Sequence, residues 1–305
     1  MQKNLNIMQN FTLDNIPDLD ACVLGSLELF ISKSLPKITI PFSRPMVVGS
    51  GNAEATGRII FRNKDAVFAS ESTYENKLKN IKNIDGVVLV SASGGKHAPI
   101  IAKTAKRYKK KVILLTNNKN AEAIQYSDTV KVFPKQKEPY TYNTSTYLAM
   151  ILAMEKEDPK KIYNFIKNKI DKIKLPDFSK HKKYFIIVPT KFSGIIRMIQ
   201  VKFIELFGRK IARDVETIEY MKHATTIVPS NELFISFGEK NFKYGENRLN
   251  IPLPKNASYG TMMAISYYII GKIQKQHPAW FKKNISNYCK QASKTFKHKI
   301  EPIVE

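Results

Sequence analysis

The middle of the chain alternates short apolar runs with a segment of helical periodicity. Residues 87–90 and 112–115 consist of Val, Ile and Leu, which is typical of parallel strands buried on both faces. Between these runs, residues suited to a buried helix face recur at helical spacing, namely Ile100, Ile101, Thr104, Ala105 and Tyr108. The pattern predicts a strand, a helix and a second strand, joined by a right-handed crossover onto a parallel sheet.

Similar apolar runs occur on both sides of this central unit. Residues 45–48, 66–70 and 129–133 predict three more strands, which gives a five-stranded parallel sheet. Helices are predicted over 121–126 and from about 144 to 154. Residues 1–40 are predicted to form an N-terminal helical segment ended by Pro36, because their apolar residues form a stripe at Leu19, Val23, Leu27 and Phe30.

A loop rich in serine and glycine joins the first central strand to its helix. It contains Ser91, Ser93, Gly94 and Gly95, so hydroxyls and backbone N–H groups meet the positive end of a helix, an arrangement that binds phosphate. Lys96 adds a full positive charge. A connection that binds nothing is the alternative, and the loop matches neither the P-loop nor the dinucleotide motif.

This loop, followed by a helix and a strand that ends at Thr116, resembles the sugar isomerase (SIS) domain. The resemblance implies that the loop hydroxyls and the helix start hold the phosphate of a phosphosugar, with Lys96 where the family usually has threonine. It also implies sugar contacts for the turn after the first strand, formed by Gly49, Ser50 and Gly51. A tight turn whose glycines supply positive φ is the alternative for that segment.

A later helix start carries a further resemblance, to the glucosamine-6-phosphate synthase branch of the family. In that branch a Glu and a Ser-Thr pair line the sugar site, and Glu138 and Ser145 stand at the corresponding place. Hydroxyl and amide residues in a first helical turn most often serve only as caps, which is the alternative here.

The second half of the chain resembles another SIS domain that lacks the S-x-S-G loop. A break at residues 175–177 predicts the boundary, so residues 41–175 form the first SIS domain and residues 176–305 the second. The second half leaves little room for one strand-helix step. The predicted fold class is α/β with two SIS domains, each a parallel sheet flanked by helices in three layers, the second one shortened.

Residues of the second half resemble the family's catalytic motifs. Lys202 and Glu205 form a K-x-x-E pair on one helical face, and His223 ends the segment E-Y-M-K-H. The resemblance implies that Glu205 moves the proton between two carbons and that His223 opens the sugar ring from the neighbouring subunit. Lys202 could steady the developing oxyanion. A surface ion pair and an ordinary imidazole are the alternatives.

The C-terminal tail also resembles the synthase branch, which carries a lysine there that forms a Schiff base with the sugar. Lys299 fits this position best, with Lys297 as the alternate. The reaction requires the neutral amine, which burial or nearby cations favour.

Composition is consistent with a folded protein inside the cell. The chain has 305 residues and 43% hydrophobic content, and no apolar run approaches eighteen residues. The N-terminus lacks signal-peptide features, so a cytoplasmic location without membrane association is expected. Cys22 and Cys289 are predicted to be buried small hydrophobes, and neither a metal site nor an organic cofactor is expected.

The net charge of +24 first suggests a nucleic acid or another anionic partner. The lysines are spread along the chain, however, and no nucleic-acid-binding module is recognisable. A lysine-rich proteome, or a positive field that attracts phosphorylated metabolites, explains the charge equally well. Nucleic-acid binding is kept as a third, disfavoured alternative.

Together these features predict a homodimeric phosphosugar aldose–ketose isomerase that acts on a hexose or amino-hexose 6-phosphate, with or without coupled amine loss. The alternative is a non-catalytic phosphosugar sensor that controls a partner. The shortened second half and the stretched spacing between Glu205 and His223 favour that alternative.

Overall fold

The computed structural model describes residues 2–305 and has a mixed α/β fold built on parallel sheets. The helices are α1 Lys3–Asn10, α2 Leu19–Ser32, α3 Asn52–Ile60, α4 Tyr74–Asn80, α5 His97–Arg107, α6 Thr144–Glu155, α7 Pro159–Asn168, α8 Ile196–Phe207, α9 Ile218–Ala224, α10 Tyr259–Gln276 and α11 Trp280–Phe296. The strands are β1 Pro45–Val48, β2 Val67–Ala69, β3 Gly86–Val90, β4 Lys111–Thr116, β5 Thr129–Val132, β6 Glu138–Pro139, β7 Lys183–Val188, β8 Ala212–Thr217, β9 Leu233–Phe237, β10 Asn247–Ile251 and β11 Ile303–Val304. Short 3₁₀ helices lie at Leu13–Asn15, Glu122–Tyr126, Ile170–Lys172, Phe178–Lys180 and Thr190–Ile195.

The chain separates into two compact units. The five-stranded unit comprises residues 33–135 and 146–157, and the four-stranded unit comprises residues 2–32, 136–145 and 158–305. Helix α2 belongs to the four-stranded unit because it packs on α10, where the Leu19 N–H donates to Gln274 Oε1 at 2.9 Å and Lys275 Nζ pairs with Asp20 at 2.6 Å. The boundaries of these two units differ from those predicted for the two SIS domains. The division into two SIS domains stays a prediction.

The five-stranded sheet has the order β2-β1-β3-β4-β5, and each neighbouring pair is parallel. The predicted five-stranded parallel sheet is therefore confirmed. Its central strands are buried over nearly their whole length, which explains why their sequences are continuous apolar runs and do not alternate.

Helices cover both faces of this sheet. On one face, α4 and α5 pack against alternate strand residues such as Val48, Leu89 and Leu114. On the other face lies α3, where a Cβ added at Gly57 would meet the methyl groups of Val47 and Val90. The three-layer arrangement of helix, sheet and helix follows from this division of the strand residues between two faces.

The four-stranded sheet has the order β10-β9-β7-β8 and is also parallel throughout. Read from β8, the strands follow the order second, first, third and fourth along the chain, which is also the order of β2, β1, β3 and β4 in the other sheet. The four-stranded sheet has no counterpart of β5. One face carries α9 on a cluster that includes Ile187, Met221 and Phe234. The other face carries α8, whose Phe203 ring lies 5.8 Å from that of Tyr184.

Several local predictions were wrong in detail. Ile100 was placed on the inner face of α5, but it is 58% exposed, because the buried stripe of this helix runs through Ala98, Ile101, Ala102 and Ala105. The segment predicted as a helix over 121–126 forms a 3₁₀ helix at Glu122–Tyr126. Strand β8 and helix α11 were not predicted.

Two remaining sequence expectations concern the cysteines and the membrane. Cys22 and Cys289 are both free and buried, as predicted. Among the helices within residues 2–305, none combines the length and the apolar content needed to cross a bilayer.

Candidate functional site

In the five-stranded unit, the strand order has a switch point at the carboxyl ends of β1 and β3. The connection after β1 leads to β2 at one edge of the sheet, and the connection after β3 leads to β4 in the opposite direction. The loops that follow β1 and β3 therefore diverge at this point. Ligands of open parallel sheets bind at such a switch point. The two loops are the segments predicted to bind a phosphosugar, Gly49–Gly51 and Ser91–Lys96.

The two serines of the second loop use their oxygens to fix the loop itself. Ser91 Oγ accepts from the Gly94 N–H at 3.2 Å, and Ser93 Oγ accepts from the Gly95 N–H at 3.3 Å. Each hydroxyl therefore keeps its own proton to donate to an anion. The loop precedes the 11-residue helix α5, whose N-terminal N–H groups also favour an anion.

Thr116, at the end of β4, anchors this loop from the neighbouring strand. Its buried hydroxyl donates to the Ala92 carbonyl at 3.0 Å and accepts from the Asn118 N–H at 3.2 Å. The Asn118 side chain donates to the Ser93 carbonyl at 3.0 Å. The loop conformation is thus set by hydrogen bonds before any ligand binds.

Two residues of the loop adopt left-handed backbone conformations. Gly94 has φ +60°, and an added Cβ would lie 2.3 Å from the Cβ of Ala121. Lys96 has φ +53°, although it is not glycine, and its side chain is exposed next to the start of α5. A positive φ at a lysine is uncommon and marks a loop that the surrounding structure holds in place.

Replacing Gly94 with alanine is therefore expected to destabilise the protein by about 2 kcal/mol, from positive-φ strain and the collision with Ala121. Urea denaturation measures the free energy of unfolding. Gly95→Ala is the matched control, because there an added Cβ has only Ser93 Oγ as a neighbour, at 3.8 Å, and φ is not positive. Equal losses in the two variants would show that the loop tolerates a side chain at residue 94.

The turn after β1 has glycines for two different reasons. A Cβ at Gly49 would lie 2.6 Å from the Glu54 backbone nitrogen, so glycine permits a close approach of α3. Gly51 has φ +55°, as the turn alternative predicted, and Ser50 between them is exposed. Nearby, the buried Asn52 Oδ1 at the start of α3 accepts no hydrogen bond from the described residues.

The four-stranded unit contains a cavity of about 610 Å³. Glu205 and Thr141 line it together with aromatic side chains from α11, and Arg209, Lys210 and Lys283 add positive charge. Such a cavity suits an anionic or hydroxyl-bearing ligand with an apolar face, because it offers ionic, hydrogen-bonding and aromatic groups together.

Lys202 is completely buried beside this cavity, and its ammonium group makes three hydrogen bonds. It donates to the backbone carbonyls of Thr141 at 2.5 Å and Tyr142 at 2.8 Å, and to Glu205 Oε2 at 2.7 Å. An ammonium has three donors, so these acceptors use all of them. Lys202 thereby holds Glu205 and the 141–142 segment in fixed positions, and its predicted contact with an oxyanion stays a prediction.

Glu205 lies at the cavity wall with its side chain 21% exposed. Burial raises the pKa of this carboxyl above its ordinary value of 4.5, although the charge and hydrogen bond of Lys202 pull the pKa down. A carboxylate whose pKa is raised towards neutrality is a better match for general base catalysis than a fully solvated one.

Two tyrosines near Glu205 were not found by the sequence analysis. The rings of Tyr140 and Tyr288 lie 6.1 Å apart, and Tyr288 lines the cavity. Burial raises the pKa of both phenols, and the negative charge of Glu205 adds to that effect. Both hydroxyls are therefore protonated at neutral pH and can donate hydrogen bonds. A lone tyrosine in the sequence carries no signal that would reveal this.

Glu138 and Ser145 are close together, but their contacts are those of a helix cap. The Glu138 carboxylate accepts from the backbone N–H groups of Thr144 at 2.8 Å and Ser145 at 2.7 Å, at the start of α6. Ser145 Oγ accepts from the Gln136 N–H at 3.1 Å. Both side chains are buried. A role for either residue in sugar binding stays a prediction.

His223 and Lys299 are both exposed and do not line the cavity around Glu205. His223 lies in the last turn of α9. Lys299 is 84% exposed and forms an ion pair with Glu301, and this hydrogen bond raises the pKa of the Lys299 amine. The raised pKa favours the charged amine, whereas a Schiff base requires the neutral one. The catalytic roles of both residues stay predictions.

Comparisons with known proteins bear on the fold. No protein-family model matches the sequence, and no curated protein matches it either. Among solved structures, glucosamine-6-phosphate deaminase from Thermotoga maritima matches with a TM-score of 0.60 and 13% identity, over 89% of this chain and 92% of that one. The C-terminal domain of glucosamine-fructose-6-phosphate aminotransferase from Francisella tularensis matches with a TM-score of 0.58 and 12% identity, over 87% and 94%.

A third structure, tagatose-6-phosphate ketose/aldose isomerase from Escherichia coli, matches with a TM-score of 0.57 and 13% identity, over 85% of this chain and 86% of that one. Identities this low establish similarity of fold alone. The chain therefore has the fold of these phosphosugar proteins, with parallel sheets flanked by helices, and the predicted fold class is confirmed.

Proposed function

We propose that the protein is a member of the SIS family with two SIS domains, and that it isomerises a hexose or amino-hexose 6-phosphate between its aldose and ketose forms. The observation that carries the proposal is the Glu205 carboxylate, which Lys202 holds at the wall of a cavity and whose pKa is raised by burial. The fold similarity to phosphosugar isomerase and deaminase structures supports the substrate class.

The chemistry assigned to Glu205 is proton transfer. An aldose–ketose exchange removes a proton from the carbon next to a carbonyl and returns it to the neighbouring carbon, so one carboxylate can serve as base and then as acid. Lys202 is proposed to keep Glu205 oriented, since its three donors are occupied by protein acceptors. His223 and Lys299 are retained as proposed ring-opening groups, and a homodimer would supply His223 from the partner.

Phosphate binding is assigned to the loop at Ser91 and Ser93. The two hydroxyls, the N–H groups at the start of α5 and Lys96 provide donors and positive charge for a phosphate dianion. Gly49–Gly51 and the unpartnered Asn52 Oδ1 are proposed to face the sugar.

Replacing Ser91 and Ser93 together with alanine is expected to weaken binding of fructose 6-phosphate by at least about tenfold. The reason is that the charged phosphate loses one hydrogen bond for each hydroxyl removed. Isothermal titration calorimetry measures the dissociation constant. Ser32→Ala is the control, since its hydroxyl donates to the Leu29 carbonyl within α2. Unchanged affinity in the double variant would remove the loop from the phosphate site.

A second candidate function is a phosphosugar sensor without turnover. The observation that favours it is the state of two proposed catalytic groups, because His223 is exposed and the pKa of Lys299 is raised, not lowered. Incubation with fructose 6-phosphate, glucose 6-phosphate and glucosamine 6-phosphate separates the candidates. Interconversion or ammonia release supports the enzyme, binding without product supports the sensor, and absence of binding contradicts both.

A further inference from the structure

One face of the four-stranded sheet has a thinner cover than the corresponding face of the five-stranded sheet. In the five-stranded unit, α4 and α5 cover this face, and α5 connects β3 to β4. In the four-stranded unit, the short helix α9 follows β8, and residues 238–246 connect β9 to β10 without a helix. Connections between neighbouring parallel strands usually contain one. The four-stranded sheet therefore has one helix fewer on this face.

Residues 225–230 and 238–246 form the rest of the layer over this sheet face. The Gly245 N–H donates to the Val228 carbonyl at 3.2 Å, and a Cβ added at Gly245 would collide with the Phe234 ring. Tyr244 packs on the same apolar cluster as Met221 of α9. The connection thus lies directly on the sheet beside α9. We call the outer surface of α9 and of these two segments the α9 face.

The α9 face exposes large apolar side chains. Tyr220, Ile227 and Phe242 are 65%, 75% and 74% exposed, which is more than any other large apolar side chain within residues 2–305. A single exposed apolar residue is ordinary on a protein surface. Three of them on one thinly covered face indicate a surface that another molecule covers.

The charge of this region favours a second copy of the chain as that molecule. Residues 212–250 contain six acidic and five basic side chains, whereas the whole chain has a net charge of +24. Two copies that met through strongly basic surfaces would repel each other, and a region of balanced charge reduces that repulsion. A strongly acidic partner, in contrast, would be attracted to the more basic remainder of the chain.

The two sides of the α9 face differ in their charged residues. The register of β7 and β8 places Asp214 and Glu216 on the α9 side of the sheet, and Glu219 follows in the first turn of α9. The opposite side, formed by β10 and its connection, has mixed charges with a positive excess, from Lys240, Lys243, Arg248, Glu239 and Glu246. One side is therefore acidic and the other weakly basic.

We infer that the α9 face is a homodimer interface, in which two copies pack their α9 faces against each other about a two-fold axis. An axis that runs along the strands sets the acidic side of each copy against the basic side of the other, and the same patch serves both copies. The exposed apolar side chains are then removed from water between the copies. Association through this face does not depend on the proposed activity.

The test is the oligomeric state of the full-length protein, measured by sedimentation equilibrium over a range of concentrations. The wild-type protein is expected to be a dimer. Ile227→Lys/Phe242→Lys is expected to weaken dimerisation by at least about 100-fold, because apolar contacts are lost and like charges are added. Ile100→Lys is the matched control and should stay dimeric, since Ile100 is exposed on α5 of the five-stranded unit.

A charge reversal tests the arrangement of the two copies. Asp214→Lys/Glu219→Lys is expected to weaken dimerisation by at least about tenfold, because both sides of the face are then basic. Adding Lys240→Glu and Lys243→Glu to the same chain should restore the dimer, since the two sides regain opposite signs. A dimer that is not restored would contradict the two-fold arrangement.

Circular dichroism checks that each variant is folded. Should Ile227→Lys/Phe242→Lys fail to fold, Tyr220→Lys is judged by the same criterion. A monomeric wild-type protein overturns the inference and leaves the α9 face to a partner of different chemistry. A dimer that survives the lysine substitutions overturns it as well, because the copies then meet elsewhere. A dimer without isomerase activity supports the interface and contradicts only the proposed activity.

Discussion

Glu205→Gln is expected to lower the rate of hexose 6-phosphate isomerisation by about 10²–10⁴-fold, the range that general acid–base catalysis contributes. Glutamine has almost the same shape and can still accept a hydrogen bond from Lys202, but it cannot take a proton. Affinity for fructose 6-phosphate should remain unchanged, because only a transition-state interaction is removed. Coupled assays of turnover and calorimetry on the same preparation measure the two quantities.

The control for this variant is Glu122→Gln, an exposed glutamate in the 3₁₀ helix that follows β4. This control should retain wild-type turnover. A fully active Glu205→Gln would remove the carboxylate from the mechanism, and a variant that loses affinity together with turnover would show that Glu205 serves mainly in binding.

The pH dependence of turnover follows from the pKa of Glu205. The base is active when ionised, so turnover should fall as the pH is lowered through the pKa of this carboxyl, which burial raises above 4.5. A rate–pH profile of the wild-type protein should therefore show its acid limb at a higher pH than a free glutamate would give.

Lys202→Met is expected to destabilise the protein by about 3–5 kcal/mol, the cost of breaking a buried ion pair by removing one partner. The side chain is fully buried, and its loss removes a hydrogen bond from the carbonyls of Thr141 and Tyr142 and from the Glu205 carboxylate. Urea denaturation measures the change in the free energy of unfolding.

The matched control is Lys167→Met, which removes a lysine of an exposed pair with Asp171. An exposed pair contributes below about 1 kcal/mol, so a similar loss in both variants would contradict the role assigned to Lys202. The double variant Lys202→Met/Glu205→Gln should be less destabilised than the two single losses added together, because the glutamine leaves no unpaired carboxylate.

Lys202 is also expected to influence the pH dependence of turnover, which a lysine with a purely structural role would not change. Its charge and hydrogen bond lower the pKa of Glu205. In any folded Lys202→Met protein, the acid limb of the rate–pH profile should consequently move to higher pH. An unmoved limb would mean that Lys202 does not act on the proton-transfer group.

Much of the fold could be predicted because its strands are buried on both faces. Strands such as β3 and β4 are continuous apolar runs, and the loop between β3 and α5 has a distinctive composition. Strand β8 was missed because it lies at the edge of its sheet and reads Ala-Arg-Asp-Val-Glu-Thr, with too few apolar residues to form a recognisable run.

The candidate site was less accessible to prediction. The K-x-x-E spacing of Lys202 and Glu205 correctly indicated a contact, but the same spacing is typical of a surface pair, and burial of the lysine depends on segments far away in sequence. Thr141 and Tyr288 reach the cavity from segments separated by more than a hundred residues. No local sequence pattern indicates that these two segments lie close together in the fold.

The sequence by itself determined the parallel α/β architecture and the place of the serine loop, because strand burial and loop composition are local properties of the chain. Only the tertiary structure decided which polar groups lose contact with water. Packing of α8 against the 141–142 segment surrounds the Lys202 ammonium with acceptors, whereas the Lys299 side chain is left in solvent. Desolvation depends on all neighbours at once, so it cannot be read from residue spacing.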